Sequence, residues 1–120
     1  MGLNFNMNQV KIDAVRTVGQ LLLAHPYAGS LAADGHGNAV EPEDTKACKF
    51  CYVGACLAVG KKLHLDKYVY FYLSNELWYL DQVSALCDEV LDVVIDGKNW
   101  DSATPKQRKA WAQKLADFEG

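Results

Sequence analysis

Apolar residues recur along this chain every three or four positions, which is the spacing of one face of an α-helix. The first such stripe consists of Val10, Ala14, Val18, Leu21 and Leu22. Asn8 can cap a helix in front of it, and Pro26 ends the pattern because the residue before a proline is disfavoured in helical geometry. The sequence therefore predicts a first helix from Asn8 to about Ala24.

A second apolar segment holds three of the four cysteines and predicts a central helix. Pro42 suits a first helical position, while Gly60 and the two lysines after it are typical of a helix end. Gly54 lowers helix propensity, so it indicates a close approach to a neighbouring helix. One face of the predicted helix carries Cys48, Cys51, Tyr52, Ala55, Cys56 and Val59.

Two further helices are predicted near the C-terminus. Asp81 can cap a helix that extends to Ile95, and Gly97 is well placed to end it. The run Thr104-Pro105-Lys106-Gln107 is a capping box with proline at the first helical position, so it opens the last helix. Residues 98–103 are predicted to form a loop between the two.

The residues between Tyr27 and Val40 are rich in turn formers. The run Asp34-Gly35-His36-Gly37-Asn38 supplies residues that accept positive φ angles, as a hairpin loop requires. Asp34, His36 and Asn38 alternate like the start of a calcium loop, but the further acids and the closing Glu of that motif are missing. We therefore predict a minor β-hairpin near residues 30–41.

The aromatic stretch from Asp66 to Leu80 fits two structures. Three tyrosines alternate with apolar residues, as in a strand. The apolar positions also fit a helix, which we prefer because a strand here has no evident partner except the small hairpin. The alternating tyrosines are Tyr68, Tyr70 and Tyr72.

Together these elements predict a mainly α fold, a single-domain bundle of four to five helices with one minor hairpin. A length of 120 residues fits one domain. Residues 1–7 are treated as an extension outside the domain, since Met7 offers a second start site. The predicted core contains Cys48, Tyr52, Ala55, Val59, Val83, Cys87, Val90, Leu91 and Val94.

Composition narrows the class of protein. Half of the residues are hydrophobic and 22% are charged, as in a soluble globular domain. No apolar run approaches the roughly 20 residues that span a bilayer, and no signal peptide is evident, so we expect a cytoplasmic protein without membrane contact. The net charge of −3 argues against general nucleic-acid binding, which needs clustered Lys and Arg.

The residues around the cysteine segment resemble a known family. They read Asp34-x-x-Gly37-Asn38-Ala39-Val40 and then Ala47-Cys48-Lys49-Phe50-Cys51-x-x-Gly54-Ala55. This pattern is similar to that of a small domain-of-unknown-function family of bacteria and phages, with a D-x-x-G hairpin before an aromatic-Cys-x-x-Gly-Ala helix. Cys56 stands where that family has leucine. The resemblance implies the helical architecture and a phage or prophage origin, but no activity.

The cysteines raise the hypothesis of a zinc site. Cys48, Cys51 and Cys56 have ligand-like spacing, and Cys87 or His64 could complete a tetrahedron. Structural zinc pairs usually lie on turns, however, whereas these residues follow a helical apolar pattern. Free cysteine also packs as a small hydrophobe. Core packing is therefore the preferred interpretation, and a cysteine-ligated zinc module is the alternative.

A small cysteine-dependent enzyme is a second alternative. It would need a thiol at a helix N-terminus or beside a cation, with a histidine in reach. The pattern places none of the four cysteines in this way, and the histidines lie at predicted element ends. The sequence also lacks a phosphate-binding glycine loop and the common hydrolase motifs.

The third hypothesis, which we prefer, is a non-catalytic accessory protein without a cofactor that binds another protein, such as a host factor. Tyr and Trp dominate binding hot spots, and this chain has more of them than a small core readily hides. A homodimer is the simplest alternative. The candidate partner-binding residues are Tyr68, Tyr70, Tyr72, Trp78 and Tyr79.

Overall fold

The structure, a computed structural model, describes residues 2–24, 31–42, 44–65 and 78–119, with side chains for 9–24, 31–42, 44–60 and 83–119. The elements are α1 (Gly2–Ala24), β1 (Ala32–Ala33), β2 (Lys49–Phe50), α2 (Tyr52–Leu65), α3 (Trp78–Leu91), α4 (Gly97–Ser102) and α5 (Pro105–Ala116). The predicted fold class, mainly α with a minor antiparallel β element, is confirmed. None of the helices in these ranges has the length and apolar character needed to cross a membrane.

Helix α1 packs most extensively against α5, with further contacts to α2 and α3. It begins at Gly2 rather than at the predicted Asn8. At the crossing with α5, a Cβ on Gly19 would collide with the backbone of Ala112 and Ala116. The absence of a side chain at Gly19 therefore lets the two helices approach more closely than ordinary side chains allow.

Strand β1 has extended partners on two sides. It pairs antiparallel with β2 in the register Ala32 to Phe50 and Ala33 to Lys49. Ala33 also forms a bridge with Ala39 across the predicted hairpin loop. The predicted hairpin is thus present. Its strand β1 also pairs with β2, which lies in a segment that the apolar pattern assigned to a helix.

The central helix α2 begins at Tyr52, and the prediction that it starts at Pro42 was wrong. The N–H of Cys48 donates to the carbonyl of Ala33 at 2.9 Å, which commits this part of the chain to the β ladder. Cys48 therefore lies outside the helix. At its other end α2 continues through Gly60, because the lysines that follow are good helix formers.

Helix α3 ends at Leu91, earlier than predicted. Asp92 adopts a left-handed conformation with φ of 57°. The N–H of Asp92 donates to the Glu89 carbonyl at 3.2 Å, and that of Val93 to the Asp88 carbonyl at 3.1 Å. These two bonds form a Schellman C-cap, in which an aspartate takes the position usually held by glycine.

The segment predicted to be a loop contains α4. The carboxylate of Asp96 accepts from the Asn99 N–H at 2.8 Å, and the Asn99 side chain accepts from the Asp96 N–H at 2.7 Å. This reciprocal cap starts a helix at Gly97, which had been predicted to end one. Thr104 caps α5 as predicted, accepting from the Gln107 N–H at 3.1 Å.

The core agrees with the prediction at most positions. The predicted residues that are buried are Tyr52, Ala55, Val59, Val83, Cys87 and Leu91. Cys48 and Val90 are half-buried. Val94 is 73% exposed, because it lies beyond the cap at Asp92. Trp100, which the prediction left out of the core, is fully buried and stacks on Trp111 at a ring-centroid distance of 6.1 Å.

Candidate functional site

The four cysteines proposed as zinc ligands lie in different elements. Cys48 precedes β2 and is half-buried, Cys51 directly precedes α2, Cys56 lies in α2 and Cys87 in α3. Among the side chains that the structure describes, no group of three or more His, Cys, Asp or Glu could hold a metal ion. The side chain of His64 lies outside the described ones. Cys56 and Cys87 thus approach each other across α2 and α3, whereas Cys48 lies in the β region.

Cys51 caps the N-terminus of α2, a position that the apolar pattern did not predict. The N–H of Gly54 donates to its sulfur at 3.3 Å, and the N–H of Ala55 donates to its carbonyl at 2.9 Å. Burial raises the pKa of the Cys51 thiol, although the bond from Gly54 opposes this. A helix N-terminus normally lowers a thiol pKa, but here dehydration of a side chain that is 3% exposed is the larger effect. Cys51 is therefore a neutral cap.

Tyr52 is fully buried and links α2 to α3. Its hydroxyl donates to Asp88 Oδ1 at 2.7 Å, and the same oxygen accepts from the Ile95 N–H at 3.2 Å. Burial raises the pKa of the Tyr52 hydroxyl far above its ordinary value, and the neighbouring thiols of Cys56 and Cys87 raise it further. The hydroxyl consequently stays protonated and acts as a hydrogen-bond donor.

Cys56 and Cys87 meet at the interface between α2 and α3. Cys56 is 1% exposed and Cys87 fully buried. A hydrogen bond with Cys87, together with burial, raises the pKa of Cys56 well above its usual value. Reactive cysteines combine exposure with a low pKa, and Cys56 has neither. Cys51, Cys56 and Cys87 are buried, as expected of core residues, whereas Cys48 is half-buried.

Asp34 organises the hairpin loop that had suggested a calcium site. Its Oδ1 accepts from the N–H groups of His36 and Asn38, each at 2.9 Å. Gly37 adopts φ of 87° and donates its N–H to the Asp34 carbonyl at 3.1 Å. The bond from the Asn38 backbone, followed by that from His36, lowers the pKa of Asp34. The D-x-x-G pattern is accordingly explained by the hydrogen bonding of its own loop.

Gly54 permits a close approach between the start of α2 and the segment before β1. A Cβ at this position would collide with the carbonyl group of Leu31. That carbonyl accepts from the Cys51 N–H at 3.1 Å. The close approach predicted for Gly54 therefore exists, but the neighbour is the segment before β1 and not another helix.

An open groove of about 490 Å³ lies between α1 and α3. Its apolar lining comes from Ile12, Val15, Leu86, Val90 and Phe118. Lys11 on α1 and Glu89 on α3 add one charge of each sign. Such a lining of several apolar side chains with a few polar groups is typical of binding sites.

The groove follows from the width of the apolar face on α3. Val83 and Cys87 are buried against α2, while Leu86 and Val90, on the adjoining side of the helix, are half-buried. Helix α1 contacts α3 much less than it contacts α5, so it leaves this side of α3 open. The sequence pattern assigned Val90 to the core, and the one available signal for a groove was an apolar face wider than a single neighbouring helix covers.

The aromatic residues predicted to bind a partner belong to a different part of the chain. Tyr68, Tyr70 and Tyr72 lie outside the described residues. Trp78 and Tyr79 form the start of α3, where the structure describes the backbone and not the side chains. Their part in binding stays a prediction.

Comparison with known proteins returned no match to a protein-family model, a curated protein or a solved structure. The resemblance to the bacterial and phage family likewise stays a prediction from the residues quoted for it.

Proposed function

We propose that this protein is a non-catalytic accessory protein that binds a protein partner through the groove between α1 and α3. The observation that carries this proposal is the open, largely apolar groove of about 490 Å³ with charged residues in its lining. Its volume lies within the range of roughly 300–1,000 Å³ that is typical of clefts for small molecules. Grooves between helices are also a recurring site for partner helices.

The chemistry of the cysteines favours binding over catalysis. Burial keeps the thiols of Cys51 and Cys56 protonated, and a nucleophilic cysteine must instead reach the thiolate. Tyr52, the other buried group with a raised pKa, is occupied by its bond to Asp88. These groups stabilise the packing of α2 on α3, and the groove lies along the adjoining side of α3.

We further propose that the protein acts in the cytoplasm of a bacterium and has a phage or prophage origin. The support for this origin is the sequence resemblance around Asp34 and Cys51. The partner is then a host protein. A second copy of the same chain is the competing partner, which light scattering of the purified protein would detect as a doubled mass.

Affinity capture with a groove variant tests the proposal. Val90→Glu places a carboxylate in the groove, whereas Ala85→Glu adds the same charge at an exposed position of the same helix. Both variants are first shown to melt cooperatively. We expect mass spectrometry to identify a protein that wild type and Ala85→Glu retain and Val90→Glu loses.

The same assay addresses the aromatic stretch. Tyr70→Ala and Trp78→Ala lose the partner if these rings also contribute to binding. A partner that binds Val90→Glu as well as it binds wild type would show that the groove is not the site.

A further inference from the structure

The charges of the groove restrict what can occupy it. Lys11 is half-buried on the α1 wall, and Glu89 is exposed on the α3 wall. Neither has an ion-pair partner among the described side chains. A purely apolar occupant would dehydrate Lys11 without supplying a counter-charge, which is unfavourable. An occupant that complements the groove therefore brings a negative group to one wall and a positive group to the other.

The walls also indicate the shape of the occupant. Ile12 and Val15 line the groove from α1, while Leu86 and Val90 stand one helical turn apart on α3. Side chains one turn apart form the ridges between which the ridges of another helix pack. A helix whose apolar side chains recur every three or four residues fits such a groove, as in other helix-in-groove complexes.

We propose that the groove binds an amphipathic helix of the partner, with acidic residues along one flank of its apolar stripe and basic residues along the other. This identity of the partner segment rests on the proposed function. The acidic flank pairs with Lys11 and the basic flank with Glu89. A fatty acid fits less well, because its single carboxylate leaves Glu89 without a counter-charge.

Three synthetic helical peptides test this charge pattern. They share one leucine stripe and differ only in their flanks: one acidic and one basic, both acidic, or both basic. Reversing the direction of a bound helix exchanges its two flanks. The mixed peptide can therefore always match the wild-type groove in one direction, while the other two always place one like charge against a wall.

The expected result is a change of preference that follows the groove charges. By fluorescence anisotropy, wild type binds the mixed peptide roughly two- to tenfold more tightly than the others, the range for a few partly exposed charge pairs. Glu89→Lys makes both walls positive and binds the doubly acidic peptide best. Lys11→Glu makes both walls negative and binds the doubly basic peptide best.

Two matched variants control for overall charge. Lys98→Glu and Glu41→Lys make the same charge changes at exposed positions that do not line the groove, and they should keep the wild-type order. Amide chemical shifts that change on peptide binding should cluster at groove residues such as Leu86 and Val90.

The inference is overturned if Glu89→Lys, Lys11→Glu and wild type all rank the three peptides in the same order of affinity. Binding of decanoate by a protein that binds none of the peptides also overturns it. If the peptides fail while Val90→Glu still loses a captured partner, the proposed function stands and only the amphipathic helix is excluded.

Discussion

At the scale of single residues, the carboxylates of Asp88 and Asp34 each accept hydrogen bonds from two or more partners. Tyr52 donates to Asp88, which in turn accepts from the backbone beyond the α3 cap. One carboxylate oxygen thereby connects α2, α3 and the loop before α4. Asp34 uses its carboxylate in the same way, to hold the backbone of its own loop. These side chains carry structural hydrogen bonds, and we expect their replacement to lower the stability of the protein.

Replacing Tyr52 by Phe removes the hydroxyl and leaves Asp88 with one acceptor site unpaired. We expect the free energy of unfolding to fall by about 1–3 kcal/mol, the cost of leaving a polar group without its partner in a poorly hydrated place. Thr17→Val removes a hydroxyl that bonds the Asp13 carbonyl at an exposed site, and should change stability by less than about 0.5 kcal/mol. Urea unfolding of both variants measures the difference. Equal stability of Tyr52→Phe and wild type would show that the bond contributes nothing.

The Asp34 carboxylate should make stability depend on pH. Its pKa in the folded protein lies below the ordinary value of 3.8, because backbone N–H groups of the loop donate to it. A lowered folded pKa means that the contribution is present above the unfolded pKa and is lost as pH falls through the folded value. We expect wild type to exceed Asp34→Asn in melting temperature at neutral pH, and the gap to close below about pH 3.8. A gap that is independent of pH would contradict an ionic contribution.

At the scale of elements, most of the helices could be predicted from the sequence, whereas their ends could not. The period of apolar residues is local, so α1, α3 and α5 were found. The start of α2 depends on bonds between Cys48 and a strand far back in the chain, which no local pattern contains. Asp92 ends α3 in a conformation usually left to glycine. Predicting the groove would have required knowing which side of α3 the neighbouring helices leave open.

The contact between α1 and α5 provides a test of packing at this scale. Gly19→Ala should gain up to about 1 kcal/mol in helix propensity. The added methyl group, however, collides with the backbone of Ala112 and Ala116, which cannot rotate away as a side chain can. We therefore expect a net loss of about 1–3 kcal/mol in the free energy of unfolding, as for other overpacked sites.

The matched control for that substitution is Gln20→Ala, on the exposed side of α1. It should alter stability by no more than about 0.5 kcal/mol. A Gly19→Ala variant as stable as Gln20→Ala would mean that the two helices can separate without cost.

At the scale of the whole molecule, the helices divide into two sets of contacts. Helix α1 packs chiefly on α5, and α2 packs chiefly on α3. These pairs are joined by contacts of α1 with α2 and α3 and by contacts of α3 with α5, and the groove lies along the contact between α1 and α3. Each wall of the groove thus belongs to one of the two packed pairs. The position of the groove is thus a consequence of how the helices pair.

Metal content tests whether this packing suffices for the fold. Zinc needs four ligands that converge with deprotonated thiols, whereas these cysteines lie in separate elements and the pKa values of Cys51 and Cys56 are raised. We expect purified protein to contain no stoichiometric zinc by elemental analysis, and its melting temperature to be unchanged by a chelator. Apolar contacts such as those around Trp100 and Val83, both fully buried, would then maintain the fold. One zinc ion per chain, with a melting temperature that falls on chelation and recovers on adding zinc, would instead establish the cysteine-ligated module.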